Sequence, residues 1–188
     1  MPPETHPFEI FITDTTRSLI IGTFPCLDFV QNDYGHWFYS TNNKNLLWAI
    51  LSNVFGQSAI DRQQKEKLLL DNNIGMADIA TRIQRAKSSC ADTDFTIIEP
   101  NKILLKVIFE KKDLTLYFTS SKAQMLTDKY YFETFNNKIQ NRKINLLSPS
   151  KSASRSIART LEYKSYITEN PSANTLTFRL KKYSELLK

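Results

Sequence analysis

The feature that most constrains this chain is a short apolar run, Ser18-Leu-Ile-Ile-Gly22, that ends on glycine and breaks at once into Thr23-Phe24-Pro25-Cys26. Too short for a helix and rich in β-branched residues, it predicts a buried strand opening into a loop. Two further runs behave alike. Leu114-Thr-Leu-Tyr-Phe-Thr119 is a clear strand, and Lys143-Ile-Asn-Leu-Leu147 runs directly into Ser148-Pro149-Ser150, whose proline cannot continue a ladder. Helical patterns separate these runs. Leu47, Ile50, Leu51, Val54 and Phe55 recur at helical spacing before Gly56, and a charged helix is expected from Asp61 to Leu70. Asn72-Asn73 turns the chain into an extended segment from Ile74 to Ile79, followed by a helical stretch through Arg85. Asn101 can cap a helix through Ile108, Ser120 or Ser121 caps another to about Asn136, and the stretch from Leu176 to Leu187 reads as a closing helix. Strands alternating with helices predict an α/β sandwich on a mostly parallel sheet, and 188 residues suit a single domain.

Composition narrows what such a domain can do. Apolar residues make up 41% of the chain and charged residues 23%, which suits a packed core and excludes a disordered chain. No stretch approaches a membrane span and the start lacks a secretory signal, so the expected location is cytoplasmic, beside the nucleoid in a bacterium. With two cysteines, Cys26 and Cys90, and two histidines, His6 and His36, a disulfide framework is not expected and a four-thiolate metal or iron–sulfur site is impossible within one chain. Neither metal nor cofactor is expected, and chemistry falls to carboxylates, amides, hydroxyls and backbone groups. The net charge is +6 and unevenly placed. Residues 151–188 hold eight Lys/Arg against three Asp/Glu, while residues 1–150 hold seventeen against sixteen, so a basic C-terminal extension from about 151 is where a polyanion is drawn.

Ligands of parallel α/β sheets bind at the carboxyl ends of the strands, which nominates Gly22 to Cys26, Thr119 to Lys122 and Ser148 to Ser150. Small residues and proline there let backbone N–H groups approach a phosphate or a flat ring, and a nearby aromatic can stack on a base. Ordinary tight turns would have the same composition, and no glycine-rich phosphate loop is present.

Four segments, in order, resemble the uracil-DNA glycosylase superfamily, and within it the hypoxanthine and mismatch-type branch. Leu19-Ile-Ile-Gly-Thr-Phe-Pro25 is similar to a strand followed by Gly-Ser/Thr-Phe-Pro. Trp37-Phe38-Tyr39 and then Asn45-Leu-Leu-Trp48 are similar to a Tyr-Tyr segment and the Asn-x-Phe-Trp that opens a helix. Asn73-Ile-Gly-Met-Ala-Asp78-Ile resembles Ile-Gly-Leu-x-Asp, extended by Arg85, Ser88 and Ser89, and Leu147-Ser-Pro-Ser150 resembles the Pro-Ser loop that engages DNA. The resemblance spans the chain from about His6 to about Leu187. It implies a three-layer α/β/α sandwich around a four-stranded parallel sheet. It also implies a monomeric enzyme that excises a deaminated base, hypoxanthine or also uracil or xanthine, from duplex DNA without metal or cofactor.

The resemblance also distributes roles. Asn45 is the implied catalytic amide, able to accept and donate, although an asparagine there also reads as a helix cap. Gly22, Thr23, Phe24, Pro25, Cys26, Tyr39 and Asn43 form the implied base pocket, with Phe24 stacking or walling it and Asn43 a competing match for the amide. Ser148, Pro149, Ser150, Lys151, Arg155 and Arg159 are the implied DNA contacts, any single cation of which also reads as solvated surface. Asp78 reads as a helix cap or loop tether, Cys26 as a packed thiol, and His36 as aromatic-loop packing or a DNA contact. The classical uracil glycosylases of the family carry Asp or Asn where this chain has Phe24 and a histidine where it has Ser148. A catalytically silent DNA-binding member of the same fold, and a small nucleoside or nucleotide binder, are the competing readings.

Overall fold

The computed structural model describes residues 1–26, 37–40, 44–89 and 91–188. Its centre is a four-stranded sheet built from β2 (Ser18–Gly22), β3 (Ile74–Asp78), β6 (Thr115–Phe118) and β7 (Lys143–Asn145), in the order β3-β2-β6-β7 with every pairing parallel. The first run is a strand with no exposed side at its apolar centre: Leu19, Ile20 and Ile21 are fully buried. Successive side chains point to opposite faces. Ile20 packs with one set of helices and Leu19 and Ile21 with another.

On the Ile20 face lie α1 (Leu47–Phe55), α2 (Arg62–Asp71) and α7 (Thr175–Leu187), contributing Ile50, Leu51, Leu68 and Tyr183 to one core. On the other lie α3 (Lys102–Glu110) and α4 (Ser121–Phe135), contributing Leu104, Leu105, Ile108 and Leu126. The result is the expected three-layer α/β/α sandwich. Asn101, Ser120 and Gly56 agree with the sequence reading, and Asp61, read there as the first residue of its helix, is the cap of α2. Asp61, Asn101 and Ser120 accept hydrogen bonds from the N–H groups of Gln64, Leu104 and Ala123, and Gly56 ends α1 in the left-handed region at φ 65°.

One element is corrected. The segment through Arg85, expected as helix, is strand β4 (Ala80–Arg85), which pairs antiparallel with β1 (Glu4–Thr5) and β5 (Phe95–Pro100) in a second, three-stranded sheet. Ala, Arg and Gln are good helix formers, but neighbours on both sides offer this segment ladder partners, and tertiary pairing overrides propensity. Strand β5 and the helices α5 (Ser154–Ile157) and α6 (Leu161–Glu169) carry mixed patterns that do not announce them in the sequence. Ile157, Tyr163 and Phe178 form a small core of their own beneath them, so the chain from Lys151 onward is folded against the sandwich.

Candidate active site

A cavity of about 330 Å³ opens where β2, β3, β6 and β7 end, at the place where strand order reverses on either side of β2. The loop after β2 supplies Thr23, Phe24, Pro25 and Cys26; the loop after β7 supplies Ser148, Pro149, Ser150 and Lys151. Tyr39 and Asn45 join them, so most of the residues nominated from the sequence meet in one place. Gly22 lies beneath. Arg155 and Arg159 are exposed and stand off the cavity. Asn43, His36 and Cys90 lie outside the described residues.

Asn45 and Ser150 form an antiparallel bridge, continued by Leu46 N–H donating to the Pro149 carbonyl at 2.8 Å and Lys151 N–H to the Lys44 carbonyl at 2.9 Å. This pairing fixes the head of α1 to the Pro-Ser loop. The N-cap of α1 is Leu46, which makes no side-chain cap bond; Asn45 stands one residue ahead of it, where its Oδ1 accepts the Leu47 N–H at 2.9 Å and its Nδ2 remains as a donor at the cavity. The side chain that ties down the head of the helix is also the candidate amide.

Asp78 is the floor of the site rather than a cap or tether of ordinary kind. Its Oδ2 lies 2.9 Å from His6 Nε2 and its Oδ1 accepts from the Tyr39 hydroxyl at 3.2 Å, with His6 and Asp78 side chains each 5% exposed. Burial, reinforced by the Asp78 carboxylate, holds the Tyr39 hydroxyl well above the ordinary tyrosine range, so it stays a donor. Asp78 pairs in register with Gly22 across β2 and β3, and a Cβ on Gly22 would collide with both the Tyr39 oxygen and Asp78 Oδ1. The glycine leaves the room in which this network forms.

Phe24 is 8% exposed, with His6 edge-on at 5.3 Å and the Arg85 guanidinium 5.8 Å from its ring. Arg85 is buried, bound to Glu4 and donating to the Pro25 carbonyl at 2.6 Å, so it pins the loop after β2 from below. Arg179 does the same for the other loop. From α7, its Nε donates to the Ser148 carbonyl at 2.8 Å and its Nη2 to the Ser150 carbonyl at 2.9 Å, while Tyr183 donates to the Leu147 carbonyl at 2.8 Å.

Arg179 and the cavity residue Asp92 fall outside the motifs of the sequence. Arg179 carried a usable signal, an arginine at helical spacing with Leu176, Leu180 and Tyr183 on an apolar face. Asp92 carried none, sitting in a polar stretch without periodicity; in the structure it lines the cavity and accepts from the Thr23 hydroxyl at 2.7 Å. Burial pushes its carboxyl above the ordinary aspartate range, against the opposing pull of that hydroxyl and of Lys122 and Arg85. Cys26 is corrected: it is disulfide-bonded, not a packed thiol, a pairing that spacing along the chain does not disclose. Among the described residues no three His, Cys, Asp or Glu side chains are grouped to hold a metal, and no helix is long and apolar enough to cross a membrane.

Sandwich, strand order and site position together define a protein with the uracil-DNA glycosylase-like α/β fold. The chain is similar to the solution structure of a "putative uracil DNA glycosylase" from Methanosarcina acetivorans, with a TM-score of 0.65, 18% identity, and coverage of 97% of this chain and 96% of the other. At that identity the likeness is one of fold. No family model matches the sequence and no curated protein does.

Proposed function

We propose that this chain is a DNA base-excision glycosylase that rotates a deaminated base, hypoxanthine first and uracil or xanthine as further candidates, into the cavity and hydrolyses its N-glycosidic bond. The observation that carries this reading is the bridge between Asn45 and Ser150, which sets an amide donor and a Pro-Ser loop beside Phe24 at one cavity. A volume of about 330 Å³ is at the lower end for small-molecule pockets and suits a single base.

A base inside the stack is out of reach, and the mispaired or deaminated base costs least to extrude. Ser148, Ser150 and Lys151 hold phosphate beside the opening and so position the duplex without reading sequence. Phe24 gives the base an apolar wall. Asn45, its carbonyl held by the Leu47 N–H, aims Nδ2 at the base edge or at the water that attacks C1′. It orders that water and does not deprotonate it, since a neutral amide is no base.

The test is incubation with duplexes carrying inosine, uracil or xanthine, followed by alkali. Strand scission is expected on inosine. Asn45→Ala is expected to abolish scission with duplex affinity kept, whereas loss of affinity in step with activity would make Asn45 structural. Asn45→Asp keeps the acceptor for the Leu47 N–H but not the donor, and is expected to restore stability without restoring scission. Duplex binding without scission for every base is the outcome that favours a silent DNA-binding protein.

A further inference from the structure

We propose that Asp92 delivers the proton to the departing base, and that the site is thereby suited to a deaminated purine; this rests on the glycosylase reading.

Bond cleavage leaves an electron pair on the base, and a purine such as hypoxanthine has a basic ring nitrogen to take a proton, whereas uracil has carbonyl oxygens and no basic ring nitrogen. None of Asn45, Phe24, Ser148 or Ser150 is an acid. Among the described residues two carboxyl groups line the cavity, Asp78 and Asp92, and their surroundings separate them. Asp78 has both oxygens occupied, by His6 and by Tyr39, and is committed to holding the floor. Asp92 accepts from Thr23 through Oδ1, and among the described residues no donor reaches its Oδ2. Its second oxygen is therefore the one carboxyl oxygen of the described lining with no hydrogen-bond partner.

Asp92 sits in a short 3-10 turn, Asp92–Asp94, that leads into β5, so β-ladder pairing of the next residues fixes it in place. Among the described residues the charged groups facing it are Asp78 at the end of β3, Arg85 on β4 and Lys122 on α4. Burial and the Asp78 charge favour its neutral form, and this outweighs the two cations and the Thr23 hydroxyl. A carboxyl whose titration is raised above the ordinary aspartate range holds its proton to a higher pH than an exposed aspartate does.

The step balances as follows. The C1′–N bond breaks and its electron pair goes to the base; the carboxyl hydrogen of Asp92 passes to the base ring, leaving Asp92 as carboxylate. The water ordered by Asn45 bonds through oxygen to C1′ and releases a proton to solvent. Solvent returns a proton to Asp92 once the base has left.

Single-turnover excision from inosine duplexes and from 5-fluorouracil duplexes, across the pH range in which the protein stays folded, tests this with wild type and Asp92→Asn. The variant keeps the size of the side chain and an oxygen for Thr23 but has no proton to give. Because the donor is the protonated form, wild-type excision of inosine is expected to fall as pH rises through the raised Asp92 titration. In Asp92→Asn that limb is expected to vanish, with inosine excision down about 10²-fold or more. The electron-poor 5-fluorouracil leaves without a proton, and its excision is expected to change far less. Equal losses on both bases, or an unchanged inosine pH profile in the variant, overturn the assignment to Asp92. Wild type that cuts no base at any pH overturns the glycosylase reading, and the proton donor with it.

Discussion

Gly22 shows how a single missing side chain organises the site. The space above its α-carbon is taken by the Tyr39 hydroxyl and an Asp78 oxygen, both closer to an added Cβ than any real contact. Neither can move cheaply, because Asp78 is anchored by His6 and the half-buried Tyr39 donates its hydroxyl to it. Gly22→Ala is therefore expected to separate Tyr39 from Asp78, lowering stability by about 1–3 kcal/mol, as overpacking does, and reducing excision. Thermal unfolding together with the inosine assay checks it. A variant with native stability and native activity would mean that the network is not held by this glycine. The same register that brings Asp78 over Gly22 explains why Asp78 reads ambiguously in sequence: nothing local says that His6, seventy-two positions away, will meet it.

At the scale of elements, each loop of the site is held by an arginine from elsewhere in the chain. Arg85 on β4 reaches the loop after β2, and Arg179 on α7 reaches the loop after β7. Both are among the largest fully buried side chains, and both spend their charge on backbone carbonyls or a buried carboxylate. A planar fork of donors suits two carbonyls at once, which a lysine cannot reproduce. Arg179→Met preserves length but leaves the Ser148 carbonyl without its donor and the Ser150 carbonyl with the Ala153 N–H alone. The expected cost is about 1–3 kcal/mol, for the Ser148 carbonyl that loses its donor, read from the urea midpoint, with a parallel loss of duplex affinity. Affinity unchanged in a folded Arg179→Met protein would separate this loop from DNA binding. The helix α7 was legible as a helix from its pattern. Its pattern also set an arginine on the apolar face, but not that this arginine would clamp the loop after β7, because periodicity tells which face is covered and not what covers it.

Across the whole molecule the charge asymmetry acquires a place. The basic excess begins at Lys151, which lines the cavity, and continues through Arg155 and Arg159 on the exposed surface beyond it. Reversing Lys151 and Arg155 to glutamate is expected to lower the slope of log affinity against log salt by about 0.9 for each duplex phosphate that is no longer neutralised. An unchanged slope in salt titrations would move the DNA track to another face. The fold's outline was readable at this scale too, since β2, β6 and β7 announce themselves as apolar runs and α1 to α4 as capped or periodic segments.

What the sequence determined by itself was therefore local: the parallel strands, their helices and caps, and the loops at the strand ends, all set by periodicity, turn chemistry and steric limits within a few residues. The three-stranded sheet of β1, β4 and β5 was decided only by tertiary pairing, because its strands lack an apolar alternation of their own and gain their form from neighbours. The same holds for the His6–Asp78–Tyr39 floor, the Asp92–Thr23 pair and the Arg179 clamp. Each joins polar groups distant in sequence, and a polar side chain becomes informative only once burial removes water and obliges it to find a partner.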